Sequence, residues 1–483
     1  MASYATHPVV KGWLDTLSIN NSFQENCKDY WSNDTSTLIT SSFPIAVTVG
    51  NGSHIYEKDL APAIESAEKE VLLVTCFWAR SSALSQLSAA LISLSQKALA
   101  RSDRSRIRVR LCLSSRSFFQ KLFHSPSETG YTYPPSTWNS VLGLPPPSEL
   151  KGLDFQVKSM FFRPFSVLHP KFLVIDRQKA LMPSCNVSWE NWLECCLTTQ
   201  GPVVCNIAKF WEHFWGREDF PDLLSVTESA ENGRENPGGK IPASHSGRTP
   251  VFTIVLPSPH HSSFKISFPI LKSPTPLTPL NAFLLCLLDN AQHLVHIITP
   301  NLTSQPVIEA LLAALARGVD VNIITNRRMM ILEQIVTAGT ITEICMCRLK
   351  KSYLKRSAKS SVQGAPMEHS SNLLEEARPL GNLRISYYYP SYVRAHPNRT
   401  HIKCTAVDDE ITVLGSGNMD RASWFTSQEL GIALFGKEVT KDYWSQLSKN
   451  MYKQVKVYYE SKPLAASTSD IPIFEGNLYS IST

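Results

Sequence analysis

No stretch of this 483-residue chain is apolar for long enough to cross a bilayer; runs such as Ala282 to Leu288 stop at charged or amide residues within two turns. The opening residues, MASYATHPVVKGWLDTL, contain no basic segment followed by an apolar run, which argues against a secretory leader. The eleven cysteines show no paired spacing. Cys195-Cys196 and Cys345-x-Cys347 lack the companions that a zinc site needs, so free thiols in a reducing compartment are expected. Together these absences point to a cytoplasmic protein, at most peripheral at membranes. Charged residues make up 18% of the chain and leave a formal charge of +6 with pI near 8.6. That mild excess suits an anionic substrate but does not choose between lipid and nucleic acid.

One chemical phrase is written twice. His169-x-Lys171-x4-Asp176 is followed by Ser184-x-Asn186, and His401-x-Lys403-x4-Asp408 by Gly415-Ser416-x-Asn418. The copies stay in register further on, since Ser188-Trp189 precedes Glu194 at the interval that separates Ser423-Trp424 from Glu429. Two histidines and two lysines brought together can cleave a phosphodiester. A neutral imidazole attacks phosphorus, and a protonated one donates to the leaving oxygen and then activates the acceptor. The lysines, with Ser184, Asn186, Ser416 and Asn418 as substrate-binding groups, would surround the non-bridging oxygens. This chemistry calls for no metal and no cofactor. Trp189 and Trp424 read as packing residues.

These residues resemble the phospholipase D superfamily, and the resemblance spans most of the chain. The second copy, HIKCTAVDDEITVLGSGN, follows the family pattern throughout; the first, HPKFLVIDRQKALMPSCN, has Pro183 where the family usually has glycine. The resemblance implies two similar α/β halves with one active site at their contact. It further implies His169 as nucleophile, His401 as general acid and base, and Glu429 as a carboxylate that orients an active-site imidazole, with Glu194 in the same part for the first copy. Asp176 and Asp408, counted with the catalytic set, read more as structural and electrostatic supports than as proton-transfer groups.

Hydrophobic periodicity agrees with an α/β fold. In the first half, Leu60 to Glu68 predicts a helix, 71–78 a buried strand, Ser82 to Ala100 a helix and 106–113 an alternating strand. The second half repeats the order with Leu280 to Ala291, 294–300, Gln305 to Arg317 and 319–325, with Pro279 suiting a helix start and Gly318 a helix stop. Aromatic segments, MFFRPFSVLHPK and SYYYPSYVRAHPNRTHIK, lead to each histidine, and aromatic helices around 206–215 and 441–452 close the halves. Residues 1–224 are read as the first half, 225–250 as a linker rich in Gly, Pro and Ser, and 251–483 as the second half, with 350–381 an extended loop.

The resemblance implies a phosphodiesterase or phosphatidyltransferase acting on glycerophospholipids through a phosphohistidine, of phospholipase D or cardiolipin-synthase type. Aspartate in both motifs argues against the tyrosyl-DNA phosphodiesterase type. Two readings stay open beside it: a nucleic-acid phosphodiesterase, and a catalytically silent phospholipid-binding protein in which Pro183 has deformed the first half-site. The expected partner is a phospholipid, with no obligate protein partner.

Overall fold

The structure is a computed structural model that describes residues 4, 6–19, 35–103, 105–116, 130–160, 167–215, 249–258, 275–363, 379–390 and 397–462. The expected linker lies outside these residues except for 249 and 250, as do 161–166 and 391–396 of the two aromatic approach segments.

The first half supplies β1 (Ile39–Gly50), β2 (Glu70–Phe77), β3 (Ile107–Ser115), β4 (Tyr131–Thr132), β5 (Leu153–Ser159), β6 (Phe172–Ile175), β7 (Lys179–Pro183) and β8 (Trp192–Gln200). The second supplies β9 (Val251–Ser258), β10 (Leu294–Ile298), β11 (Asp320–Thr325), β12 (Leu383–Tyr388), β13 (Arg399–Thr400), β14 (Cys404–Val407), β15 (Ile411–Gly415), β16 (Glu429–Phe435) and β17 (Val455–Glu460). In the first half β5, β3 and β2 are parallel, and β6, β7, β8 and β1 continue as antiparallel neighbours. The second half repeats this order with β12, β11 and β10, then β14, β15, β16 and β9. β1 pairs with β9, and β13 runs parallel to the start of β8, so the halves share backbone hydrogen bonds. The fold is therefore α/β with two pseudo-symmetric halves.

The sequence explains the layering. β2 is a continuous apolar run buried almost throughout, as a parallel strand covered on both faces should be. Helix Ser82–Leu99 covers one face with Leu84, Leu87, Leu91 and Leu94, and starts at Ser81, whose Oγ accepts the Leu84 N–H at 3.2 Å. Helix Gln305–Ala316 does the same for the second half. Helix Pro279–Asn290 begins with proline in its first turn and Thr278 as its cap, and Gly318 takes φ 92° behind helix Gln305–Ala316. Between the sheets lies a shared core of Phe172, Val174, Cys404 and Ala406. It is closed by Trp211 and Trp215 from helix Val203–Trp215 and by Tyr443 and Trp444 from helix Lys437–Met451.

Three features depart from expectation. β3, expected to alternate, lies between two parallel neighbours with Arg110 buried; two of its guanidinium nitrogens donate to Asp154, at 2.9 Å to the carboxylate and 2.7 Å to the carbonyl, while its Nε has no partner among the described residues. Residues 350–363, expected at the start of an extended loop, continue helix Thr342–Gln363, whose apolar Cys345, Met346, Leu349 and Tyr353 pack on the second half's core; 364–378 lie outside the described residues. Helix Pro8–Ile19 had no sequence reading. It docks on helix Pro279–Asn290, where Trp13 is fully buried, donates from Nε1 to Pro279 O at 3.0 Å and meets Phe283 edge-on.

The two motif aspartates do fold-level work. Asp176 accepts the backbone N–H groups of Glu68, Lys69 and Glu70 at 2.7–2.8 Å, and Asp408 those of Gln292, His293 and Leu294 at 2.8–2.9 Å. Each clamps the turn after β6 or β14 to the start of the neighbouring parallel strand, itself sitting at positive φ, 52° and 54°. The four-residue strand β6 or β14, about 13 Å long, separates each aspartate from its histidine and lysine, and these hydrogen bonds give both aspartates a structural part. Asp408→Ala should lower stability by about 2 kcal/mol, because three donors lose a charged acceptor and alanine is strained at that φ. Urea unfolding measures the loss, and the folded variant should keep its turnover number; a turnover collapse at unchanged stability would restore the aspartate to the reaction.

Candidate active site

The histidines and lysines stand at the carboxyl ends of the parallel strands, where the sequence-distant motifs meet. His169 precedes β6 and His401 precedes β14, and alternation along the extended chain puts Lys171 and Lys403 on the same side as their histidines. Backbone bonds between the halves fix both histidines: His169 N–H donates to Gln428 O at 3.0 Å, and His401 N–H to Leu193 O at 2.8 Å. Each acceptor is the residue just before a motif glutamate.

The glutamates act across the interface. His169 Nδ1 lies 2.9 and 3.0 Å from the carboxylate oxygens of Glu429, and His401 Nδ1 lies 3.0 and 3.1 Å from those of Glu194. Glu194, expected to serve the first copy, therefore serves the second copy's histidine, and Glu429 the first's. Ser184 Oγ donates to Glu194 at 2.5 Å and accepts the Cys195 N–H at 2.9 Å; Ser416 Oγ donates to Glu429 and accepts the Leu430 N–H at 3.0 Å. Both hydroxyls, expected to bind substrate, are thus spent on orienting carboxylates. With Nδ1–H donating to glutamate, each neutral imidazole keeps its Nε2 free of a proton.

The lysines complete the ring. Lys171 Nζ donates to His169 O at 2.9 Å and Lys403 Nζ to His401 O at 2.6 Å, leaving N–H groups of each ammonium for a ligand. The asparagines differ. Asn186 Oδ1 accepts the Phe77 N–H at 3.2 Å, whereas Asn418 donates to Asp420 at 2.9 Å and its Oδ1 is buried with no partner among the described residues. Trp189 is 71% exposed while Trp424 is buried, so the packing reading holds for the second only. The residue that lies against an imidazole is Trp192, its ring centroid 4.8 Å from that of His401; no spacing rule marked it. Asn326 also escaped notice. Its side chain brackets Thr400, accepting its N–H at 2.9 Å and donating to its carbonyl at 2.8 Å, and so sets the approach to His401.

Pro183 does no damage. Gly415 has φ 153°, and a Cβ there would lie 2.3 Å from Leu430 O, so the second copy needs glycine. In the first copy Pro183 pairs with Cys196, and Ser184 N–H still reaches Cys195 O at 2.8 Å, against 3.0 Å for Ser416 N–H to Leu430 O.

Burial dominates the electrostatics. It pushes both imidazoles down to about 4, with the nearby lysines adding to the effect against the pull of the glutamates. Burial and Lys171 together push Lys403 down to about 7. The glutamates, although burial works against their charge, are held below the usual range by their histidines and the lysines. Near neutral pH the imidazoles are therefore neutral, the glutamates charged and Lys403 close to its midpoint.

Residues 284–451 match the family model described as cardiolipin synthase, PLD-like domain. Among solved structures the chain is similar to phosphatidylserine synthase of Haemophilus influenzae Rd KW20, at 12% identity and TM-score 0.51, over 86% of this chain and 89% of that one. It is also similar to polyphosphate kinase of Porphyromonas gingivalis (10%, TM-score 0.44, 85% of this chain and 48% of that one). A third similarity is to the phospholipase D family member Nuc of Salmonella typhimurium (16%, TM-score 0.27, 43% and 97%). No curated protein matches in sequence. Residues 284–451 are therefore similar to a phospholipase-D-like domain, and the likeness to the Haemophilus influenzae structure shows the fold. The family model lies within the chain's second half, and the first half shares that half's strand order and site geometry.

The charge states give a pH prediction. For a p-nitrophenyl phosphodiester, whose leaving group departs without a proton, kcat/KM should fall below about 4 as His169 is protonated and above about 7 as Lys403 loses its charge. Lys403→Arg should carry the alkaline limb well above 7 because guanidinium stays charged. A wild-type profile flat between about 5 and about 9 contradicts this assignment.

Proposed function

We propose that the chain transfers or hydrolyses the phosphatidyl group of glycerophospholipids through a covalent phosphohistidine. The observation that carries the reading is the crossed pair of Ser–Glu–His chains, which holds both imidazoles by Nδ1 with both motif lysines close to each ring. The family match to a cardiolipin-synthase-type domain supports the lipid class.

In this mechanism His169 Nε2 attacks phosphorus while Lys171 and Lys403 hold the non-bridging oxygens. Glu429 takes up the positive charge that develops on the attacking ring, through Nδ1–H. His401 gives its Nε2 proton to the leaving alcohol and then removes one from water or an acceptor alcohol, which displaces the histidine and regenerates the site. Of the two imidazoles, His169 is the more open to solvent, at 14% side-chain exposure against 6% for His401, which agrees with its role as the attacking group.

Substrate supplies the missing proton. A phosphate anion about 4 Å from an imidazole is worth about 4 kcal/mol at an effective dielectric constant of 20. By the conversion of about 1.4 kcal/mol per unit, that brings His401 from about 4 back to near neutrality. The intact geometry around Pro183 argues against a silent binding protein.

The test uses phospholipid vesicles, a primary alcohol and a chelator, with His401→Ala as control. A phosphatidyl-alcohol should appear with the wild-type chain and fall by at least about 10³-fold in the variant. Cleavage of DNA or RNA with no lipid product would replace lipid by nucleic acid as substrate. Near-normal turnover by His401→Ala would sink the two-histidine mechanism.

A further inference from the structure

Helix Ile331–Ala338 is inside out. An ordinary surface helix turns its apolar stripe to the core and its polar face to water. Here Gln334 and Ala338 face inward, while Leu332, Ile335 and Val336 are 80%, 50% and 63% exposed, with Met330 just before them 42% exposed. Gln334 explains how such a helix is held. Its Nε2 donates to Asn301 Oδ1 and to Met329 O, and its Oε1 accepts the N–H and Oγ1–H of Thr342, each at 2.8 Å. Polar bonds anchor the helix, and among the described residues nothing covers its apolar groups, which leaves them as a docking surface.

The helix belongs to the rim of the active site. It follows β11, whose exit residue Asn326 brackets Thr400 beside His401. It also packs against helix Arg421–Phe425, just beyond Asn418. The chain reaches it through Arg328 and Met330, both at positive φ, 54° and 50°. A basic and aromatic collar lies on the same rim. Arg327 stands 5.6 Å over the Tyr387 ring, and Lys456 and Lys453 lie 5.8 and 5.2 Å from the rings of Tyr389 and Tyr452, which are about half exposed. Glu333 is the one carboxylate among the helix's eight residues.

We propose that this rim docks on the surface of an anionic phospholipid bilayer, with Leu332, Ile335 and Val336 entering the acyl boundary. Tyr389 and Tyr452 sit at headgroup level, and Arg327, Arg328, Lys453 and Lys456 meet the anionic headgroups. Apolar side chains ringed by tyrosines and cations match a layered interface, apolar within and anionic at its surface. The docked face brings a headgroup phosphate to the cleft without lifting the lipid fully from its leaflet. The inference rests on the phospholipid reading above and adds to it the surface by which the substrate is reached.

Sedimentation of the full chain with vesicles reads the docking without turnover. Vesicles of phosphatidylcholine mixed with phosphatidylglycerol should bind the wild-type chain, and phosphatidylcholine alone should bind it much less. Leu332→Gln, Ile335→Gln and Val336→Gln together should weaken binding by about tenfold or more, since each apolar group is lost from the contact while helix propensity is kept. Arg327→Gln with Arg328→Gln should abolish most of the preference for anionic vesicles. Both variants should cleave bis(p-nitrophenyl) phosphate at the wild-type rate, which shows that they fold. Unchanged vesicle binding by the triple variant would overturn the proposal, as would a wild-type dimer that only this variant dissociates. Failure of lipid turnover with vesicle binding intact would count against the phospholipid reaction and leave the docking surface standing.

Discussion

The structure turns on two hydrogen-bonded histidine–glutamate pairs that cross the interface between the halves. A carboxylate with no solvent exposure, such as Glu429, is tolerable only when its charge is matched and its lone pairs are filled. His169 and Ser416 fill them, and Lys171 and Lys403 supply compensating charge nearby. Neither half contains a complete dyad. The backbone bonds from each histidine to the residue preceding the opposite glutamate make the same crossing in the main chain. The paired sheets, the shared core and the helices that close it all hold this crossing in place.

The crossing also sets the chemistry. Holding Nδ1–H on a carboxylate orients each ring and keeps its Nε2 free of a proton, while burial keeps both imidazoles neutral near neutral pH. On the proposed mechanism an anionic ligand draws a proton onto His401, which links anion binding to the general acid.

Within each motif, three letters serve two purposes because a strand separates them. Histidine and lysine sit together at the rim. Aspartate, beyond β6 or β14, clamps the opposite end by holding three N–H groups of the adjacent strand's approach. The rim extends outward from the same strand ends to the inverted helix and its basic collar. One end of the sheet therefore carries both the reactive groups and the exposed apolar surface, and the other end carries the clamps.

Much of this was legible in the chain. The repeated His-x-Lys-x4-Asp phrase with its Ser-x-Asn and Glu picked out the residues that the fold brings together, and alternation of apolar runs with helical periodicity marked the α/β halves, because both are local patterns of spacing. Which glutamate meets which histidine was not legible, since Glu194 and His401 are 207 positions apart and only the docking of the halves brings them together. The serines looked like ligand groups until the fold showed their hydroxyls occupied. Arg110 looked solvent-facing until β3 proved central, and the helix starting at Thr342 ran on through residues whose polarity suggested a loop. By itself the sequence determined the reactive residue types and the two-fold plan, which depend on side-chain chemistry and local periodicity. Tertiary structure alone decided the crossed pairing, the lowered imidazole and lysine pKa values and the outward-facing apolar helix, because burial and partnership arise only when distant segments exclude water together.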